Sequence, residues 1–318
     1  MSAVSSSKLA FVMAAVFVAA CEHSPGQLES PRAITAALED SPPNAVASST
    51  GWLPAENIGP VVNSAFVDQT PELSKDGLSL YFASNRPGGY TTLDLWVSQR
   101  SSIDAPWGPP QNLGPVINSS GAQAAPHLTR DGHWLYFASN RAGGFGSFDV
   151  MVSWREDVHD DFAWQTPVNV GPPVNTSGWE GKVTNHGNDF FFPSGPVTGP
   201  LDLYQSELRD GVFQTPTLIS ELSTAADERA PSIRYDGREI AFVSNRPGGL
   251  GNSDIWVSTR SGDGRPWSSP VNLGVAVNSA FNDTGPSLSD DGELLFFDSN
   301  RAGGSGGQDL WVARRAPR

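Results

Sequence analysis

Cysteine is almost missing from this chain: Cys21 is the only one in 318 residues, so no disulfide can form within it. Basic residues are scarce too, 20 Lys and Arg against 34 Asp and Glu, which makes nucleic acid and anionic headgroups poor partners. The one unbroken apolar run, Leu9 to Ala20 behind Lys8, is too short to span a bilayer comfortably and reads as a signal peptide. The five histidines, His23, His127, His133, His159 and His186, show no metal-ligand spacing, and no Ser-His-Asp order or nucleophile elbow is visible. Glycine (33), proline (26), Phe (16) and Trp (10) are plentiful. Such a composition suits many short strands joined by tight turns, with almost no helix after the N-terminus.

The segment Val18-Ala19-Ala20-Cys21 resembles the bacterial lipoprotein box, in which small residues precede a cysteine that is lipidated and becomes the new N-terminus. The resemblance implies a signal peptide over 1–20 and a lipid anchor on Cys21. Glu22, rather than Asp, at the next position implies the outer membrane rather than the inner one. Residues 21–50 are rich in Ser, Pro and Ala without strand alternation and read as a flexible tether, which would hold the domain roughly 30 Å from the lipid. Loss of Lys8 with the signal peptide leaves 19 basic against 34 acidic side chains, a net charge near −15.

The rest of the chain repeats. Segments "DLWV", "DVMV", "DLYQ", "DIWV" and "DLWV" start at 94, 149, 202, 254 and 309, and a second series, "ENIG", "QNLG", "VNVG" and "VNLG", ends at Gly59, Gly114, Gly171 and Gly274. Each unit parses into four strands: one led by a proline motif such as "PELS", an aromatic strand such as Leu80-Tyr81-Phe82, the "DLWV" strand behind a Gly-rich loop, and a Trp-Pro strand. Four antiparallel strands repeated radially make a β-propeller. Phe82, Phe137, Phe192, Phe242 and Phe297, with Trp52, Trp107, Trp164, Phe213 and Trp267, fall at matching points and are expected between blades.

The last unit stops after its third strand, while an orphan fourth strand, "GWLPAENIG", stands at 51–59. It is expected to complete the fifth blade and remove the open edge. The expected fold is therefore all-β: a five-bladed β-propeller over 51–318, with units at 60–114, 115–171, 172–220, 221–274 and 275–318 plus 51–59.

The units "PELSKDGLSLYFASNRPGG…DLWVSQR…PWGPPQNLG" resemble the WD-like (PD40) β-propeller repeat of TolB-type proteins, and more closely the repeats that precede OmpA-like domains in some envelope lipoproteins. The resemblance covers nearly all of 51–318 and implies protein interaction in the bacterial envelope. No OmpA-like domain follows Arg318 here, so peptidoglycan attachment is not carried over.

In a propeller the loops entering the first strand and joining the second to the third share one face. That face collects Asp68, Glu228 and Asp283 before the prolines, Arg86, Arg141, Arg246 and Arg301 in the Ser-Asn-Arg loops, and Asp94, Asp149, Asp254 and Asp309 at the loop ends. Identical copies on every blade suit architecture better than a ligand site, so these arginines are expected to pair with strand-end carboxylates. "GGFGSFD" and "GGSGGQD" resemble a calcium-binding nonapeptide, but the Asp falls one position late, and no cofactor is expected. The third unit departs from the others: Trp179, Glu180 and Lys182 put an aromatic, an acid and a base near this face in one blade only, making them the candidate partner-binding residues. The expectation is a monomeric, lipid-anchored propeller that binds an envelope protein or glycan without chemistry of its own, touching membrane through its lipid alone. The alternative is a carbohydrate-active enzyme, a propeller-type glycoside hydrolase, disfavoured because the acidic positions belong to the repeat and no unique trio of Asp and Glu stands out on the innermost strands.

Overall fold

The computed structural model describes residues 51–317. The signal peptide, Cys21 and the tether lie outside the described residues. Strand β1 (Glu56–Asn57) precedes five blades. Blade 1 holds β2 (Asp68–Leu73), β3 (Ser79–Ser84), β4 (Asp94–Gln99) and β5 (Gln111–Asn112). Blade 2 holds β6 (Gln123–Leu128), β7 (Trp134–Ser139), β8 (Asp149–Trp154) and β9 (Val168–Asn169). Blade 3 is broken into β10 (Trp179–Glu180), β11 (Thr184–His186), β12 (Asp189–Gly195), β13 (Asp202–Arg209), β14 (Val212–Phe213) and β15 (Thr217–Leu218). Blade 4 holds β16 (Glu228–Ile233), β17 (Glu239–Ser244), β18 (Asp254–Thr259) and β19 (Val271–Asn272). Blade 5 holds β20 (Asp283–Leu288), β21 (Leu294–Ser299) and β22 (Asp309–Arg314). The one helical turn among the described residues is a 3-10 turn at Gly274–Ala276.

The N-terminal strand closes the ring as expected. Glu56 lies opposite Val312 and Asn57 opposite Trp311, extending blade 5 to the order β20-β21-β22-β1. A further bridge joins Trp52 to Arg315. Strand-edge amides that an open ring would expose are thereby paired.

Side chains alternate across each second strand, so neighbours in sequence serve different blade junctions. Phe82 packs against blade 5 with Phe296 and Leu310, whereas Tyr81 packs against blade 2 with Phe137 and Trp164. The same offset places Phe192 between blades 2 and 3, Phe242 between 3 and 4, and Phe297 between 4 and 5. All five phenylalanines are at most 1% exposed, which confirms their assignment to the inter-blade core.

The first strands surround the axis, and four of them carry a register shift at a proline: Pro71, Pro126, Pro231 and Pro286 each lie in the shifted stretch. Proline lacks the amide a regular ladder requires, so a bulge is where it fits. Blade 3 has Val183 at that position, and its first strand splits into β10 and β11 instead.

Candidate functional site

On the face that carries the Ser-Asn-Arg loops, the repeated polar residues hold loops to strands. Arg86 pairs with Asp68 at 2.5 Å and Arg246 with Glu228 at 3.0 Å; Arg301 pairs with Asp283. Blade 2 has Gln123 where blade 1 has Asp68, and Arg141 donates to the Ile117 carbonyl and the Ser139 hydroxyl. Asp94, Asp149, Asp254 and Asp309 bond not to arginine but to their own loops, accepting the amides of Thr91, Gly146, Gly251 and Gly306 at 3.1–3.2 Å. The second glycine of each pair (Gly89, Gly144, Gly249, Gly304) is required there, because a Cβ would collide with the aspartate. Among the described residues no group of three or more His, Cys, Asp or Glu could hold a metal ion.

The three candidates of the third unit do not form one surface. Glu180 is fully buried and takes the place of Asp68, accepting from the Thr176 amide and hydroxyl and from Ser194. Trp179 is half-buried beside Phe148. Lys182 is buried on the axis, where its ammonium donates to the carbonyls of Pro71 (3.2 Å) and Pro286 (2.8 Å).

The asymmetry that opens a site lies at the other end of blade 3. On the opposite face, which carries the tight turns, an arginine after each third strand stacks on the fourth-strand tryptophan: Arg100 on Trp107, Arg155 on Trp164, Arg260 on Trp267 and Arg315 on Trp52, at 4.3–4.5 Å. These pairs fill four junctions. Blade 3 has Leu208 and Phe213 at the corresponding points, joined by the short β13–β14 hairpin. A cleft of about 1120 Å³ opens there between blades 2 and 3. Trp134, Tyr136, Phe190 and Phe213 line its walls, and its inner end reaches Glu72, His127 and Asn185 at the hub.

Glu72, His127, Thr184, Ser232 and Ser287 occupy one position on the five first strands, so the carboxylate at the hub belongs to blade 1 alone. Its oxygens accept from His127 Nδ1 (2.8 Å), Ser287 Oγ (3.0 Å) and the Leu128 amide (3.3 Å), and Lys182 Nζ lies 3.3 Å away. His127 Nε2 meets Asn185 Oδ1 at 2.8 Å, and Asn185 Nδ2 donates to the Gly187 carbonyl, fixing the amide. Burial alone pushes the Glu72 carboxyl up, but Lys182 and His127 outweigh it and hold it at about 2. Burial pushes the Lys182 ammonium down, against the attraction of Glu72.

A second carboxylate is also unique to its unit. Asp298 stands where β3, β7, β12 and β17 carry Ala83, Ala138, Pro193 and Val243. Burial pushes it up; it accepts from the Thr70 amide (2.8 Å), Thr284 and Gln308. It does not line the cleft. Comparing the units position by position exposes both acids in the sequence: Glu72 against His127, and Asp298 against Ala83.

No family model matches the chain, and no curated protein matches it in sequence. Among solved structures, it is similar to an α-L-arabinofuranosidase from Podospora anserina (13% identity, TM-score 0.56, covering 86% of this chain and 99% of that one) and one from Lactobacillus brevis (14%, 0.57, 81% and 92%). It is also similar to a putative TolB from Agrobacterium tumefaciens (16%, 0.50, 83% and 97%). At these identities the likeness shows the β-propeller fold. The expectation of a propeller without chemistry of its own is corrected here. Several solved propellers that share this fold are glycoside hydrolases. One acid found on only one innermost strand, Glu72, lies at the inner end of the cleft, a feature the expectation did not anticipate.

Proposed function

We propose that this propeller is a carbohydrate-active enzyme that hydrolyses a glycosidic bond in the cleft between blades 2 and 3. The observation that carries this reading is a cleft with aromatic walls whose inner end reaches a buried carboxylate unique to blade 1, Glu72. Sugar rings stack on aromatic faces, and Trp134, 40% exposed, presents such a face at the cleft. Hydrolysis breaks the bond between the anomeric carbon and the leaving oxygen, adds water to that carbon and gives the leaving oxygen a proton. Its transition state is positively charged. Glu72, kept ionised by Lys182 and His127, is assigned to stabilising that charge, and His127, bonded to Glu72 on the cleft wall, to moving the proton. Asp298, the acid pushed up by burial, is assigned to holding the Thr70 bulge, since it has no access to the cleft.

The TolB-type character of the repeats, suggested by motifs such as "LYFASNRPGG", belongs to the same proposal, as does placement at the bacterial outer membrane through a lipid on Cys21. A panel of neutral polysaccharides assayed for new reducing ends tests the enzyme reading. Release by the wild type that is lost in Glu72→Gln, assayed at a temperature at which circular dichroism shows the variant folded, supports it; failure of the wild type to cleave any member overturns it.

A further inference from the structure

In a ring of five, blade 2 touches blades 1 and 3 but not blades 4 and 5. Arg130 nevertheless reaches both of the latter. It sits in the turn between β6 and β7, and its guanidinium lies over the ring of Tyr235, in the corresponding turn of blade 4, 3.2 Å from the centroid. Its Nε donates at 3.1 Å to Asp290, in the corresponding turn of blade 5. All three residues line the cleft that ends at Glu72 and His127. The side chain therefore crosses the hub end of the cleft on the turn face.

This crossing differs from the other contact that spans the hub. Lys182, 1% exposed in its side chain, is packed on the axis and bonded to two carbonyls and to Glu72. The Arg130 and Asp290 side chains are 47% and 38% exposed, and Tyr235 is 47% exposed. An ion pair and a cation–π contact at such exposure are weak and weaken further in salt. Nor does Arg130 fill a junction as Arg155, Arg260 and Arg315 do, each stacked on a tryptophan and bonded to the carbonyl of a neighbouring turn glycine. Contacts this weak, at the end of a cleft, can release without disturbing the packed junctions.

We infer that Arg130 is a strap across the hub end of the cleft, which swings off Tyr235 and Asp290 to admit a ligand to Glu72 and His127. The inference rests on that cleft being the ligand site, but its test reads access and not hydrolysis. Histidines are acylated with diethyl pyrocarbonate and the modified residues quantified by mass spectrometry, with the exposed His159 as internal reference. Relative to His159, His127 is expected to react about tenfold faster in Arg130→Ala, the factor expected when both weak contacts are lost together. In the wild type the His127 rate is expected to rise with sodium chloride, and in Arg130→Ala to be insensitive to it. An unchanged melting temperature and an unchanged rate at His133, which does not line the cleft, establish that the variant is folded; should it melt early, Asp290→Asn replaces it. Equal His127 rates in wild type and folded variant across the salt series overturn the strap. That result leaves the hydrolase reading standing, and a protein that cleaves no glycan leaves the strap standing.

Discussion

Lys182 Nζ lies 3.3 Å from Glu72 Oε2, joining blade 3 to blade 1 across the centre of the ring, with both side chains largely buried. Breaking a buried ion pair from one side leaves the other charge unpaired, which costs about 3–5 kcal/mol. Glu72→Gln is therefore expected to lower stability strongly in urea unfolding. The double variant Glu72→Gln, Lys182→Met removes both charges and is expected to be more stable than Glu72→Gln alone. A double variant no better than the single one contradicts the pairing.

The same pair predicts an acid limb. The folded-state Glu72 carboxyl, at about 2, lies below its ordinary value of 4.5. The stability it contributes is complete above pH 4.5 and is lost as pH falls through that interval toward 2, in total on the order of 3 kcal/mol. Asp298, pushed up by burial, works in the opposite sense, costing stability as pH rises past its ordinary value of 3.8. The difference in melting temperature between wild type and Glu72→Gln isolates the first effect, and is expected to shrink steadily on acidification over this interval.

Trp134 separates recognition from folding. Trp134→Ala removes an exposed wall of the cleft and is expected to weaken binding of a cleft ligand by about 2 kcal/mol, roughly thirtyfold. Phe137→Ala, which removes a fully buried ring, is expected to cost about 3–5 kcal/mol of stability. Binding measured on a glycan array beside thermal melts of both variants checks the contrast. Melting of Trp134→Ala as early as Phe137→Ala would show the indole to be core.

Closure can be tested by truncation. Trp52 is 1% exposed and packs with Phe297, Trp311 and Leu295. Deletion of 51–59 removes this ring and uncovers β22, so a large fall in melting temperature and a tendency to associate through the bare edge are expected. Calorimetry with light scattering reports both.

Anchoring is tested by Cys21→Ala. Loss of metabolic lipid labelling and release of the protein from membranes are expected, while an unchanged mass of the mature N-terminus contradicts lipidation.

The sequence by itself determined the ring. A motif that returns with one aromatic residue at the same point, Phe82, Phe137, Phe192, Phe242 and Phe297, leaves little choice but stacked blades, and an orphan strand at 51–59 beside a unit short of one strand dictates the closure. The Arg86–Asp68 pairing was legible for the same reason, since both residues recur in step. Glu72 and Asp298 were harder to see, because each breaks its repeat by one residue inside a motif that otherwise looks intact. Only the tertiary structure decided that Lys182 points down the axis rather than outward, because the broken first strand of blade 3 carries it into the hub. It also decided where the cleft lies: Leu208 and Phe213 are unremarkable apolar residues until the other four junctions are seen to be filled by arginine stacked on tryptophan. Arg130, Tyr235 and Asp290 are more than fifty residues apart from one another in the chain, and the turns that bear them meet only because five blades converge on one axis.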